Sequence, residues 1–229
     1  MHTSSLNHMA DLVGRYLDPA RPLSVLDIGS YDVNGSYRPL FEKPGWHYRG
    51  CDQSAGPNVD FVLTDPYRLP LPPGSLDLVV SGQAFEHVEF FWISFLEMTR
   101  VLKPGGMIFL IAPSRGPEHR YPVDCWRFYP DAYRALARYG GLELLEVTTD
   151  WEPHPDPDSG PWGDTVGVFR KPETAPAGGR GRLVIDLDAG TLEEVPAEPG
   201  AGVARTLDLY SREAGERIGE LLTKVYWKA

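Results

Sequence analysis

Apolar residues in this chain gather into short blocks divided by turn-forming residues. Residues 23–28 form a near-continuous apolar run that Gly29 ends, as expected for a strand covered on both faces of a parallel sheet. Similar blocks at 48–52, 59–65, 76–81, 107–112, 142–149 and 165–169 predict further strands. Between them the spacing becomes helical. Leu6, Met9, Leu12, Val13 and Tyr16 make one stripe within 6–17, and Trp92, Phe95, Leu96, Met98 and Val101 make another within 90–102. A third helix is predicted over 131–139, with Asp131 as N-cap behind Pro130 and Gly140 and Gly141 as the stop. Strands alternating with helices predict an α/β domain with a mainly parallel sheet.

The strand ends carry the candidate chemistry. Open α/β sheets bind ligands beyond the carboxyl ends of their strands, where this sequence sets Asp27, Asp52 and Asp65. Gly29, lacking Cβ, lets the chain turn tightly and approach a ligand. Asp52 ends the second strand 25 positions after Asp27, the distance of one βαβ unit, and its carboxylate suits the two hydroxyls of a ribose. The plain alternative is that Gly29 and Gly35 only form a turn. No Gly-x-Gly-x-x-Gly follows the first strand, which weighs against a nucleotide-binding oxidoreductase.

Leu26-Asp27-Ile28-Gly29, Asp52, Asp65 ahead of Leu69-Pro70, Phe85-Glu86-His87-Val88, and the run from Glu97 through Leu102-Lys103-Pro104-Gly105-Gly106 to Ile108 follow one another over residues 20–170. In order and spacing the chain resembles the S-adenosylmethionine-dependent methyltransferases of the Rossmann-like class I, in the small-molecule type 11 group. The resemblance implies a doubly wound seven-stranded sheet whose last strand is antiparallel, and S-adenosylmethionine as cofactor. It places Asp27, Gly29 and Ser30 on the methionine side, Asp52 at the ribose and Asp65 at the adenine amino group, with Gln53 and Pro66 as neighbours and Ser81 facing the same cleft. Many relatives carry alternating glycines after the first-strand acid, whereas Tyr31 and Val33 stand here.

With 229 residues, 42% of them hydrophobic, the chain can bury a full core in one elaborated domain. A formal net charge of -10 argues against non-specific nucleic-acid binding. No apolar run reaches the roughly 20 residues of a membrane span, and the polar start lacks a secretory signal, so a cytoplasmic location is expected. Two cysteines, Cys51 and Cys125, support neither a disulfide framework nor a metal cluster, and no metal is expected.

Residues 114–128 follow the fifth predicted strand and mix aromatic with titratable side chains, making this segment the candidate lid over an acceptor. Within it Arg120, Tyr121, Trp126 and Arg127 are the candidate substrate contacts. His119 is a candidate general base that Glu118 or Asp124 would orient, and His87 is the second catalytic candidate. Against these stand an exposed loop histidine and arginines paired with Asp124 and Asp131. The expected activity is methyl transfer to a hydroxyl or amine of a small molecule, such as a natural product or sugar. A catalytically silent partner-binding protein is the remaining alternative.

A Pro-, Ala- and Gly-rich stretch after Lys171 divides a methyltransferase domain over 1–171 from an appendage over 172–229. A hairpin is predicted over 183–195. Val203, Leu207, Tyr210, Ala214, Ile218, Leu221, Leu222 and Val225 fall at helical spacing, an apolar face suited to packing on the domain or on a second subunit as a homo-oligomer.

Overall fold

The computed structural model describes residues 2–174, 182–186 and 191–195. The chain divides into two compact units, Met1–Glu173 and Thr174–Ala229. In the first, the elements run α1 (Thr3–Tyr16), β1 (Leu23–Ile28), α2 (Arg38–Phe41), β2 (Trp46–Asp52), β3 (Phe61–Val62), β4 (Leu76–Gly82), a 3-10 turn (Phe85–His87), α3 (Phe91–Val101), β5 (Leu102–Pro113), α4 (Pro130–Gly140), β6 (Glu143–Thr149) and β7 (Asp164–Arg170). They build one seven-stranded sheet in the order β3-β2-β1-β4-β5-β7-β6. β7 runs antiparallel to both neighbours, and the other pairings are parallel.

The unbroken apolar runs of the central strands follow from this layering. On β5, Ile108 and Leu110 pack with Phe95, Met98 and Val101 of α3 and Tyr133 and Leu136 of α4. Their neighbours Phe109 and Ile111 point to the opposite layer, where Met9, Leu12 and Val13 of α1 and Phe41 of α2 close the core. All four β5 residues are fully buried, each contributing about 1.5–3 kcal/mol. The strand order reverses between β1 and β4, the switch point at whose carboxyl ends open α/β sheets bind their ligands.

Three elements differ from the sequence reading. The Lys-Pro-Gly-Gly segment belongs to β5 as extended chain. Leu76 faces Leu102 and Leu78 faces Met107, so Lys103 to Gly106 bulge out of the pairing. Pro104 has no N–H to donate, and Gly105 takes φ 75°. β3 is shorter than predicted: ahead of it the Asp60 carboxylate accepts the Gly50 N–H at 2.6 Å, and beyond it the Asp65 carboxylate turns to accept the Tyr67 N–H at 2.8 Å. α4 is capped by Tyr129, with Pro130 in the first turn; Asp131 lies inside the helix and pairs with Arg134 at 2.9 Å. Gly141, at φ 66°, closes that helix in the left-handed conformation.

In the second unit, β8 (Arg182–Asp186) and β9 (Thr191–Val195) pair antiparallel, Arg182 opposite Val195 and Asp186 opposite Thr191. The apolar helical face expected over 203–225 lies outside the described residues. Among those described, no helix is long and apolar enough to cross a membrane.

Candidate active site

The first half of the site lies at the ends of β1, β2 and β3. Gly29 leaves β1 at φ 79°, and its N–H and that of Ser30 both donate to the Cys51 carbonyl, at 2.9 and 3.1 Å. A Cβ on Gly29 would stand 2.3 Å from the Ala84 Cβ, so the crossing of this loop over the end of β4 excludes any side chain. Ser30 is buried, donating its hydroxyl to the Asn58 carbonyl, while the Asn58 amide donates to the Ser30 carbonyl at 2.8 Å. Asp27 is buried as well, and its carboxylate accepts the Tyr48 hydroxyl. Burial pushes its carboxyl up to about 7, a rise that the Tyr48 hydrogen bond only partly offsets.

Asp52 and Asp65 remain partly open. The Asp52 carboxylate accepts the Tyr31 and Ser54 amides, each at 3.2 Å, and Asp65 accepts the Tyr67 amide at 2.8 Å. Gln53 is exposed, Pro66 half-buried, and the Ser94 hydroxyl approaches the Pro66 carbonyl. Ser81 is fully buried and donates its hydroxyl to the Ile28 carbonyl at 2.9 Å, tying β4 to β1 beneath the loops. This donor set fits an adenosine: a partly open carboxylate after β2 for the ribose hydroxyls, another after β3 for an amino group, and a side-chain-free turn between them.

The second half lies beyond β4 and β5. The Glu86 carbonyl accepts the Cys125 and Trp126 amides, at 2.7 and 3.2 Å, and the Trp126 indole donates to the Val88 and Glu89 carbonyls. The 117–127 segment is thereby stitched to the 3-10 turn. His87 Nδ1 lies 2.6 Å from the Val123 carbonyl, which can only accept, so that nitrogen carries the proton and Nε2 presents a lone pair when the ring is neutral. Burial disfavours the cation and lowers the His87 pKa. The His119 ring meets His87 edge-on at 4.8 Å and packs on Trp162 at 4.4 Å. Asp124 accepts the His119 backbone N–H at 2.7 Å.

Of the substrate candidates, Arg127 is committed to holding the segment: it forks onto Asp124 at 2.7 and 3.0 Å and donates to the Pro117 carbonyl. Arg120 pairs with Glu118, not Asp124, and is largely exposed, as is Tyr121. Trp126 is partly exposed and packs against Phe91 and Trp92.

Two features escaped the sequence reading. Glu86 is fully buried, neither carboxylate oxygen has a hydrogen-bond partner, and burial pushes its carboxyl up to about 8. Its only sequence signal was its place beside His87. Asp164, at the start of β7, gathers His2 at 3.0 Å, the Ser4 hydroxyl at 2.7 Å and the Gln83 amide at 2.9 Å. Burial alone would raise its pKa, but His2 and the two other hydrogen bonds carry it below the usual range. These partners lie up to 162 positions apart in the chain, beyond any local pattern. Gln83 makes its contact from the left-handed region, at φ 57°.

Residues 26–110 match the family model described as a methyltransferase domain, and the fold is the one seen in S-adenosylmethionine-dependent methyltransferases of known structure. Among curated proteins, it is 32% identical over 135 residues to an uncharacterized methyltransferase of Mycolicibacterium gilvum, covering 52% of this chain and 50% of the relative. It is 25% identical over 213 residues to the 2-methyl-6-phytyl-1,4-hydroquinone methyltransferase of Synechocystis, covering 80% of this chain and 66% of that one. The chain thus spans about half the length of the first relative and about two thirds of the second. The crystal structure of the Burkholderia thailandensis 1,6-didemethyltoxoflavin-N1-methyltransferase, with bound 1,6-didemethyltoxoflavin and S-adenosylhomocysteine, superposes with a TM-score of 0.57 at 16% identity, over 74% of this chain and 79% of that one. At that identity the likeness is one of fold.

Proposed function

We propose that the protein transfers a methyl group from S-adenosylmethionine to a hydroxyl or amine of a small molecule, held between the strand-end loops and the 117–127 segment. The observation that carries this reading is the placing of His87 and His119 against each other beyond β4, on the same end of the sheet as Gly29, Asp52 and Asp65. When bound, S-adenosylmethionine supplies an activated methyl on a sulfonium, whose C–S electron pair returns to sulfur as the acceptor's lone pair forms the new bond. In our reading Asp52 holds the ribose, Asp65 the adenine amino group, and the Gly29–Ser30 turn the methionine side. The residues after β4 and β5 orient the acceptor, and the His87–His119 pair governs its departing proton. A small-molecule acceptor is supported by the aromatic rings of His87, His119, Tyr121 and Trp162 around this point. It also accords with the hydroquinone named for the Synechocystis relative.

The test is turnover of labelled S-adenosylmethionine against a panel of phenols, sugars and amines. His119→Ala should lower turnover by about 10²–10⁴-fold while leaving S-adenosylhomocysteine affinity nearly unchanged, because it acts on the acceptor's proton and not on the cofactor. Near-normal turnover in that variant would eliminate His119, and transfer only to macromolecules would overturn the small-molecule reading.

A further inference from the structure

Glu86, His87 and His119 each bring one donor atom to a common point, all within 4.8 Å of one another. A fully buried carboxylate with two unpartnered oxygens is costly, and such a group calls for a missing partner. Its cationic neighbours give it no hydrogen bond. His87 Nε2 stands 3.7 Å from Glu86 Oε1, and Arg127 forks onto Asp124 through its two terminal nitrogens while its buried Nε has no hydrogen-bond partner. His119 Nδ1 is also buried without a hydrogen bond, standing 3.4 Å from Asp124 Oδ2.

Each donor is held in place by its own support. The Val123 carbonyl fixes His87 in the tautomer whose Nε2 lone pair is free, as a carbonyl commonly does behind a metal-bound histidine. The Asp124 carboxylate holds the His119 backbone and is itself locked by Arg127, and the Glu86 carbonyl is pinned by two amides of the same segment. The 3.7 Å separation of His87 and Glu86 suits two bonds of about 2.0–2.2 Å meeting at one ion, and the widest pair needs only a small inward shift. The trio of His8, Asp150 and Asp164 is no rival, because Asp164 already accepts His2, Ser4 and Gln83, and His8 and Asp150 bond each other.

We propose that Glu86, His87 and His119 form a binding site for a divalent first-row transition-metal ion that grips an oxygen of the acceptor. Two imidazoles among three protein ligands favour zinc, manganese, cobalt or ferrous iron over magnesium or calcium, and three ligands leave positions open for an incoming group. The inference rests on the methyltransferase reading of this site: an acceptor hydroxyl bound to the ion would lose its proton to solvent more readily and meet the methyl as an oxyanion. An acceptor with two adjacent oxygens, such as a catechol or a vicinal diol, fits such a site best.

The test uses the full chain without an affinity tag, treated with chelator and titrated calorimetrically with zinc chloride, with cobalt chloride followed by visible absorption and with magnesium chloride for comparison. One equivalent of zinc or cobalt should bind in preference to magnesium, and Cys125→Ser should bind equally well. His119→Ala and Glu86→Gln should each weaken binding by more than the about 10–100-fold typical of losing an outer-shell partner, without altering S-adenosylhomocysteine affinity. His119 is partly exposed, so its variant reports even where the buried Glu86→Gln fails to fold. No saturable binding, or binding that survives both substitutions, overturns the site. If no cation binds while S-adenosylhomocysteine does and His119→Ala slows turnover, the cation proposal fails and the methyltransferase reading stands. If the cation binds and S-adenosylhomocysteine does not, the site is upheld and its tie to methyl transfer is lost.

Discussion

Gly29→Ala tests the loop on which the cofactor assignment depends. The new residue would occupy φ 79°, a left-handed conformation costing about 1–2 kcal/mol for an L residue. Its Cβ would also lie 2.3 Å from the Ala84 Cβ, with the next atom, Ala84 Cα, at 3.7 Å. Overpacking of this kind costs about 1–3 kcal/mol, so the total is about 2–5 kcal/mol. The two parts separate experimentally, because Ala84→Gly removes the one atom that clashes. That change alone should cost about 0.5–1 kcal/mol in backbone entropy. In a urea-denaturation cycle the double variant should therefore recover the packing part, a coupling of about 1–3 kcal/mol, while the conformational cost remains. S-adenosylhomocysteine affinity should fall in Gly29→Ala and return in part in the double variant. Additivity within about 0.5 kcal/mol, or a Gly29→Ala protein as stable as the parent, would refute the reasoning.

Asp52→Ala should weaken S-adenosylmethionine and S-adenosylhomocysteine alike, by about 1.5–3 kcal/mol or roughly 10–150-fold in Kd, since the ribose is common to both; equilibrium dialysis showing unchanged affinity in a folded variant would remove the assignment. The pH dependence of stability isolates Asp27. Its folded pKa of about 7 exceeds the value near 3.9 of an unfolded chain, so between these values the folded state binds the extra proton and stability falls as pH rises, by at most on the order of 4 kcal/mol. Asp27→Asn should flatten that decline in urea midpoints taken at about pH 5 and about pH 8, and equal slopes in parent and variant would contradict it.

Local pattern carried much of the framework. The first strand was readable to the residue because its apolar run serves both layers and Gly29 must end it. Asp52 was legible for a related reason, closing a strand at the end where such sheets bind ligands. Long-range pairing was not legible. Asp60 bonds the Gly50 N–H from its side chain at the start of β3, and Asp131 pairs with Arg134 inside the helix and does not cap it. In the site, His119 stood out as a titratable residue in a loop, but nothing local revealed that its ring would meet His87. Glu86 was hidden because its significance is a matter of burial and missing partners, which only the packed structure defines.

The most direct test of the account is calorimetric titration of the full chain with S-adenosylhomocysteine, run beside the same titration with a nicotinamide dinucleotide. The account predicts saturable binding of S-adenosylhomocysteine at one site, lost or strongly weakened in Asp52→Ala, and no binding of the dinucleotide. Saturable dinucleotide binding with no heat from S-adenosylhomocysteine would contradict it.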